Sequence, residues 1–296
     1  MNGVKPRTAR LRAPAKVNLS LTVLGRRPDG FHDVSSVMVP VSLSDDVTVR
    51  AGGKPGTRLV ASGFAPTVRE GDNLAVRAAL LLLSKAAPAA DVGVKIALRK
   101  RIPVGAGLGG GSSDAAAVLK GLNALLGKPL DETQLMETAL EAGSDAPFFL
   151  AGSPCLVEGR GERLTPFRIR GALRLVILKP AAGVSTEAAY NALDGRPCRE
   201  CRASDGVRLV EALKRGDLEE TCRRLHNCFE AMVAESHPSV KTAKELLIGH
   251  GAAGAAMTGT GSAVFGVYAD RRAASAAAAA LKRAHVPFEV FAARTL

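Results

Sequence analysis

From Pro103 to Asp114 the chain reads Pro-Val-Gly-Ala-Gly-Leu-Gly-Gly-Gly-Ser-Ser-Asp, just ahead of a helical run over 115–126. Glycines at 105, 107, 109, 110 and 111 free the backbone of Cβ atoms, so that its N–H groups can converge on a polyphosphate. The N-terminus of the helix that follows adds about half a positive charge. The cradle comprises Pro103, Val104, Gly105, Ala106, Gly107, Leu108, Gly109, Gly110, Gly111, Ser112 and Ser113. Ser112 and Ser113 can offer hydroxyls to phosphates or Mg²⁺, or can cap the helix with Asp114 in its first turn. Asp114 is a metal candidate by position alone, and the sequence identifies no Mg²⁺ ligands.

Two other glycine signatures are excluded. A P-loop needs G-x-x-x-x-G-K-[ST], and here Ser-Ser follows the last glycine, so the lysine is missing. Gly105-Ala-Gly107-Leu-Gly-Gly110 does satisfy G-x-G-x-x-G. However, Pro103 separates the strand from the loop, and the helix leads to another helix in place of a second parallel strand ending in an acid. A turn that binds nothing would not need five glycines before two serines.

The elements around this loop follow from periodicity. Val17, Leu19, Leu21 and Val23 alternate with Asn18, Ser20 and Thr22, the pattern of a half-buried strand with Lys16, Asn18 and Ser20 on one polar face. Strands are also expected over 33–43, 47–51 and 92–99, helices over 72–87 and 131–142, and a hairpin over 156–167. Residues 143–147 read as a loop. The second half predicts a strand over 173–179 and helices over 186–193, 206–215, 218–234 and 239–250. Short strands at 255–257 and 263–268 flank Thr258–Ser262, and a helix over 271–284 precedes a last strand over 288–292. Strands first and mixed elements later suggest an α+β chain of two domains, 1–165 and 166–296.

Pro103–Ala115 resembles the second motif of the GHMP kinases, small-molecule kinases named for galactose, homoserine, mevalonate and phosphomevalonate. Pro14-Ala-Lys16-Val-Asn18-Leu resembles their N-terminal motif, and Met257-Thr-Gly259-Thr-Gly261-Ser262-Ala-Val-Phe265 their C-terminal glycine motif. The three motifs occur in order and span most of the chain. Gly25-Arg-Arg-Pro-Asp29-Gly30-Phe31-His32 is similar to the substrate loop of the branch that acts on 4-diphosphocytidyl-2-C-methyl-D-erythritol. Residues 143–149 and 180–186 share that similarity. The resemblance implies a two-lobed fold, with an N-terminal lobe like the second domain of ribosomal protein S5, a smaller α+β C-terminal lobe, and the site between. It also implies phosphorylation of a tertiary 2-hydroxyl from ATP, with Mg²⁺ to neutralise the β/γ oxygens.

A crowded, weakly acidic tertiary alcohol benefits from a positioned base and from charge stabilisation on the phosphoryl oxygens. By resemblance, Asp145 is the carboxylate that takes the hydroxyl proton, and Lys16 is the catalytic lysine, able to hold Asp145 ionised and to stabilise the alkoxide. Without the resemblance, Asp145 would read as a helix cap and Lys16 as a solvated strand lysine. The ring at position 31 is implied to stack on cytosine while His32 bonds its edge. The branch usually carries Tyr there, so Phe31 keeps the stack and loses a hydroxyl contact. Asn18 would contact the erythritol hydroxyls. Gly259, Thr260, Gly261 and Ser262 would carry the diphosphate, or form a plain hairpin turn.

Composition fits a globular chain of 296 residues, 47% apolar and 23% charged. Forty Lys and Arg against 28 Asp and Glu give a net charge of +12. Beyond the basic N-terminus, scattered doublets such as Arg26-Arg27, Lys100-Arg101 and Arg271-Arg272 suit solvated faces better than a nucleic-acid stripe. With no Trp and two Tyr, a stacking groove for single strands is a poor fit. A basic nucleic-acid-binding protein is therefore the weaker rival, and a GHMP kinase for homoserine or mevalonate the nearer one. No partner nucleic acid or membrane is expected; the expectation is a cytoplasmic enzyme, a monomer or weak homodimer. Cys198-Arg-Glu-Cys201 has no second pair to complete a zinc site, so the five cysteines read as reduced thiols.

Overall fold

The structure, a computed structural model, describes residues 6–63, 72–86, 92–194 and 203–296. Its elements are β1 Arg7–Arg26, β2 His32–Ala51, β3 Gly56–Gly63, α1 Leu74–Lys85, β4 Gly93–Lys100, α2 Gly110–Leu125, α3 Glu132–Ala142 and α4 Ala146–Ala151. Then follow β5 Cys155–Gly159, β6 Arg163–Pro166, β7 Arg174–Pro180, α5 Thr186–Asp194, α6 Ala203–Arg215, α7 Leu218–Arg223, β8 His226–Asn227 and α8 Glu230–Ser236. The last elements are α9 Pro238–Gly249, β9 Gly254–Met257, β10 Val264–Tyr268, α10 Arg271–Arg283 and β11 Phe288–Arg294. The expected α+β class holds. Cys198 and Cys201 lie outside the described residues, whereas Cys155, Cys222 and Cys228 are free thiols.

The chain packs into two units, neither of them one continuous stretch. The first gathers Met1–Ala15, Ser44–Val104 and Gly109–Gly152, and the second Lys16–Leu43, Gly105–Leu108 and Ser153–Leu296, each over its described residues. In the first unit the strand order is β3-β4-β2-β1, and α1, α2 and α3 supply the apolar cover. Val47, Val49, Ile96, Leu82, Leu119 and Leu122 form its dry centre. Burying each such side chain contributes roughly 1.5–3 kcal/mol. Asn73 caps α1 by accepting from the Ala75 N–H, and Asp131 and Gln134 form a reciprocal capping box on α3.

In the second unit, β11-β7-β10-β9 form an antiparallel sheet. Leu175, Val176, Ile177 and Leu178 of β7 are all fully buried, so this central strand reads as a continuous apolar run instead of an alternating one. Strand β5 pairs antiparallel with β2, Val34 opposite Gly159, and its hairpin to β6 is the one expected over 156–167.

Three local expectations are corrected. The strands expected over 33–43 and 47–51 are one strand, β2. The polar Ser44-Asp45-Asp46 that suggested a break is bonded within the sheet, with Ser44 accepting from Arg12 and Asp45 from Lys100. Helix α2 begins at Gly110, not 115, with Gly109 (φ +71°) as its N-cap, so Ser112 and Ser113 are helical residues and cap nothing. Asp114 accordingly lies beyond the first turn. Glycine is a poor helix former, which hides this start in the sequence. Packing reverses the preference, because a Cβ at Gly110 would come within 3.0 Å of Ile102. Finally, the helix expected over 218–234 is divided into α7, β8 and α8, where His226 and Asn227 pair in parallel with Ser20 and Leu21 of β1.

Candidate functional site

In the second unit, Lys16 is 4% exposed and its Nζ donates to Asn18 Oδ1. It is not a solvated strand lysine. The same Asn18 oxygen accepts from the Gly259 N–H at 2.9 Å and from the Thr258 hydroxyl at 3.2 Å. Asn18 Nδ2 donates to Ser36 Oγ at 2.8 Å, and the Asn18 N–H donates to Thr258 Oγ1 at 3.0 Å. One buried carboxamide thus fixes the lysine and the C-terminal glycine loop together. The side chains at 16, 18 and 20 share a face of β1, as alternation requires.

The two glycine loops meet at backbone distance. A Cβ at Gly107 would lie 2.1 Å from the Thr258 carbonyl oxygen, and one at Gly259 would lie 2.9 Å from Gly107 Cα and 3.2 Å from Lys16 Nζ. The Lys16 N–H donates to Leu108 O at 3.0 Å, and the Ala263 N–H to Ala106 O at 3.2 Å. Gly259–Ser262 links β9 to β10 but is not a plain surface turn. Thr260 and Ser262 are buried, with Thr260 Oγ1 3.2 Å from Thr186 Oγ1 and the Ser262 hydroxyl donating to Ala182 O. Asn227 Nδ2 reaches both Met257 O and Gly259 O at 2.8 Å. Sequence reasoning missed Asn227, Ser36 and Thr258. An asparagine interrupting an expected helix was the available signal for Asn227.

Phe31 and His32 form a second group at the turn from β1 to β2. The turn closes through the Arg27 N–H donating to Phe31 O at 2.7 Å, and Asp29 Oδ1 accepts from the Phe31 N–H at 3.1 Å. Phe31 is 47% exposed. The His32 ring packs on Tyr190 of α5 with centroids 4.9 Å apart, and Tyr190 packs edge-on against Phe229. Sequence reasoning did not single out Tyr190, because its helical context gave no sign that it would meet His32.

The first unit holds the helical end of the glycine loop over 103–113. The Ser113 N–H donates to Gly109 O at 2.9 Å, and the N–H groups of Gly110, Gly111 and Ser112 form the N-terminus of a 16-residue helix. Ser113 Oγ and Asp114 Oδ1 are buried without a hydrogen-bond partner. Lys100 Nζ donates to Asp114 Oδ2 and Asp45 Oδ2, while Asp45 Oδ1 accepts from the Arg101 and Ile102 N–H groups. Burial pushes the Asp114 carboxyl up to about 7, against the pull of Lys100, and Asp45 reinforces the rise. Two carboxylates around one ammonium are balanced only when one of them holds a proton. Pro103 is buried and Val104 exposed on the approach to this helix. Asp145 is half-buried at the start of α4 and makes no side-chain capping bond to that helix. It thus stands at the N-cap position that the helix-cap reading expects, but its carboxylate does not bond the helix N–H groups.

Among the described residues no three His, Cys, Asp or Glu side chains cluster as a metal site, and no helix is long and apolar enough to cross a membrane.

Residues 73–153 match the family model for the GHMP kinases N terminal domain, and residues 209–287 that for GHMP kinases C terminal. The chain is 44% identical over 260 residues to the 4-diphosphocytidyl-2-C-methyl-D-erythritol kinase of Symbiobacterium thermophilum, covering 88% of this chain and 90% of that one. To the Moorella thermoacetica protein of the same name it is 41% identical, covering 97% and 98%. A crystal structure of 4-(cytidine 5'-diphospho)-2C-methyl-D-erythritol kinase superposes with a TM-score of 0.78 at 36% identity, covering 97% of this chain and 99% of that one. A crystal structure of L. major mevalonate kinase in complex with R-mevalonate shares the fold at a TM-score of 0.74 and 16% identity, covering 98% of this chain and 96% of that one.

Proposed function

Since the chain belongs to the GHMP kinases, and within them to the 4-diphosphocytidyl-2-C-methyl-D-erythritol kinases, we infer that it transfers the terminal phosphoryl group of ATP to the 2-hydroxyl of 4-diphosphocytidyl-2-C-methyl-D-erythritol. The products are the 2-phosphate and ADP, and the reaction serves isoprenoid precursor synthesis by the non-mevalonate route. The observation that carries this reading is the buried Lys16, held by Asn18 where the two glycine loops touch.

In this reading Asp145 accepts the proton of the attacking hydroxyl, and Lys16 supplies a fixed cation for the charge that develops. Lys16 costs little reorganisation because Asn18 already orients its ammonium. Residues 103–113 receive the ATP phosphates through backbone N–H groups and the α2 N-terminus. Mg²⁺ prefers hard oxygen donors and keeps several waters and phosphate oxygens in its shell. Ser113 Oγ, a buried oxygen without a partner, fits that preference and would hold it, so that it neutralises phosphate charge, whereas Asp114 stays tied to Lys100. Phe31 stacks on the cytosine and His32, oriented by the Tyr190 ring, bonds its edge. The Gly259–Ser262 backbone carries the substrate diphosphate. Asn18 already satisfies three donors, so its contact with the erythritol hydroxyls is secondary to its hold on Lys16.

The test is ADP release from Mg·ATP with 4-diphosphocytidyl-2-C-methyl-D-erythritol, homoserine, mevalonate and galactose offered separately. Turnover with the cytidylated alcohol alone is expected. Turnover with another alcohol would keep the kinase and overturn the roles of Phe31 and His32.

A further inference from the structure

Phe31 lacks the hydroxyl that the branch usually carries at its position, and the chain anchors its ring by another means. The Arg160 guanidinium carbon lies 3.5 Å from the Phe31 ring centroid. Arg160 belongs to the tight hairpin between β5 and β6, and the pairing of Gly159 with Val34 brings that hairpin beside the turn that bears Phe31. The hairpin is itself stiffened. The Arg160 N–H donates to Glu162 Oε2 at 2.6 Å, and this carboxylate folds so closely over Gly159 that a Cβ there would lie 2.4 Å from it. Arg160 Nη1 lies 3.8 Å from Asp29 Oδ2, and Asp29 in turn accepts from the Phe31 N–H. Burial pushes the Asp29 carboxyl up, but the Phe31 N–H, Arg27 and Arg160 outweigh it and hold it below its ordinary value.

We propose that Arg160 is a positioning residue for the pyrimidine end of the substrate: it covers one face of Phe31 and leaves the exposed remainder of the ring for the base. This rests on the reading of Phe31 as the cytosine platform. A guanidinium over a ring face is attracted to the π electrons and fixes the ring plane without any hydroxyl. Asp29 ties the backbone of Phe31 and the head of Arg160 to one carboxylate, so ring and cation are set together. Arg160 touches the base only through Phe31, and its effect is confined to that end of the substrate.

The experiment is a double-mutant cycle of Arg160→Met and Phe31→Ala, with Arg160→Lys as the conservative variant. Michaelis constants are measured for the cytidylated alcohol and for ATP, with CDP binding followed by calorimetry. Arg160→Met is expected to raise KM for the alcohol and Kd for CDP by about three- to five-fold, the scale of an exposed cation–π contact. kcat and KM for ATP should stay within about two-fold, and Lys should restore part of the loss. In the Phe31→Ala background, Arg160→Met should add almost nothing. An effect of equal size in both backgrounds, or none in either while Phe31→Ala weakens CDP binding, overturns the role of Arg160 alone. If Phe31→Ala itself leaves CDP binding and KM unchanged, the platform reading fails and takes this proposal with it.

Discussion

The Asn18 carboxamide oxygen accepts the Gly259 N–H at 2.9 Å across 241 residues of chain. The Lys16 ammonium and the Thr258 hydroxyl converge on the same oxygen. A residue on the polar face of β1 thereby decides where the loop between β9 and β10 lies.

Replacing Asn18 by Leu keeps the volume and strands these donors in a dry site. Each buried donor left without a partner costs about 1–3 kcal/mol. Asn18→Leu should therefore lose roughly 3 kcal/mol or more in urea unfolding, whereas Asn18→Asp, which keeps the acceptor, should lose clearly less. Equal stability of the two variants would show that the oxygen is not the anchor.

Lys16→Met and Asp145→Asn each remove one charge from the proposed chemistry and leave the side-chain volume nearly unchanged. We expect kcat to fall by about 10²–10⁴-fold in each, on the scale of a lost general base or charge stabiliser. ATP binding, followed by fluorescence of a nucleotide analogue, should change little. Near-full turnover of Asp145→Asn with an intact circular dichroism spectrum would remove Asp145 from the mechanism.

Gly105 and Gly107 differ only in what lies beyond them. Both have positive φ, at +64° and +73°, which costs a side chain about 1–2 kcal/mol. A Cβ at Gly105 meets nothing nearer than Gly183 Cα at 3.7 Å, but at Gly107 it would strike the Thr258 carbonyl oxygen at 2.1 Å. Gly107→Ala should lower the melting temperature more than Gly105→Ala and should also raise KM for ATP. Matching melting curves for the two variants would mean that the loops do not meet as described.

Stability should fall with pH because of Asp114. Its carboxyl titrates near 7 when folded and near 3.8 when unfolded, so the folded state binds the extra proton between those values. The contribution is complete below about pH 4, declines as pH rises toward 7 and is gone above it, with an upper bound of roughly 4 kcal/mol. Asp114→Asn cannot titrate, so its stability relative to the native chain should rise from pH 5 to pH 8 in urea unfolding. A difference that stays flat across that range would place the Asp114 titration outside it.

The glycine motif was legible because glycine acts through its own backbone: a run of residues without Cβ next to a helical pattern is a local signal. Lys16 and Asn18 were legible as a shared strand face because alternation is local too. The α2 start was not, since three glycines favour a loop until Ile102 and Leu74 pack against them. Ser44 and Asp45 looked like a break until Arg12 and Lys100 satisfied them.

By itself, the sequence determined the α+β class, the two glycine loops, the lysine strand and the resemblance to GHMP kinases, all of them patterns within a few dozen residues. Only the tertiary structure decided that Lys16 is buried on Asn18, that Asn227 holds the Gly259 loop, that Asp114 shares Lys100 with Asp45, and that Arg160 covers Phe31. The physical reason is that hydrogen bonds and ring contacts depend on distance in space. Periodicity records which face a residue takes, but the residue it meets on that face is set by how strands and loops far apart in the chain are brought into register.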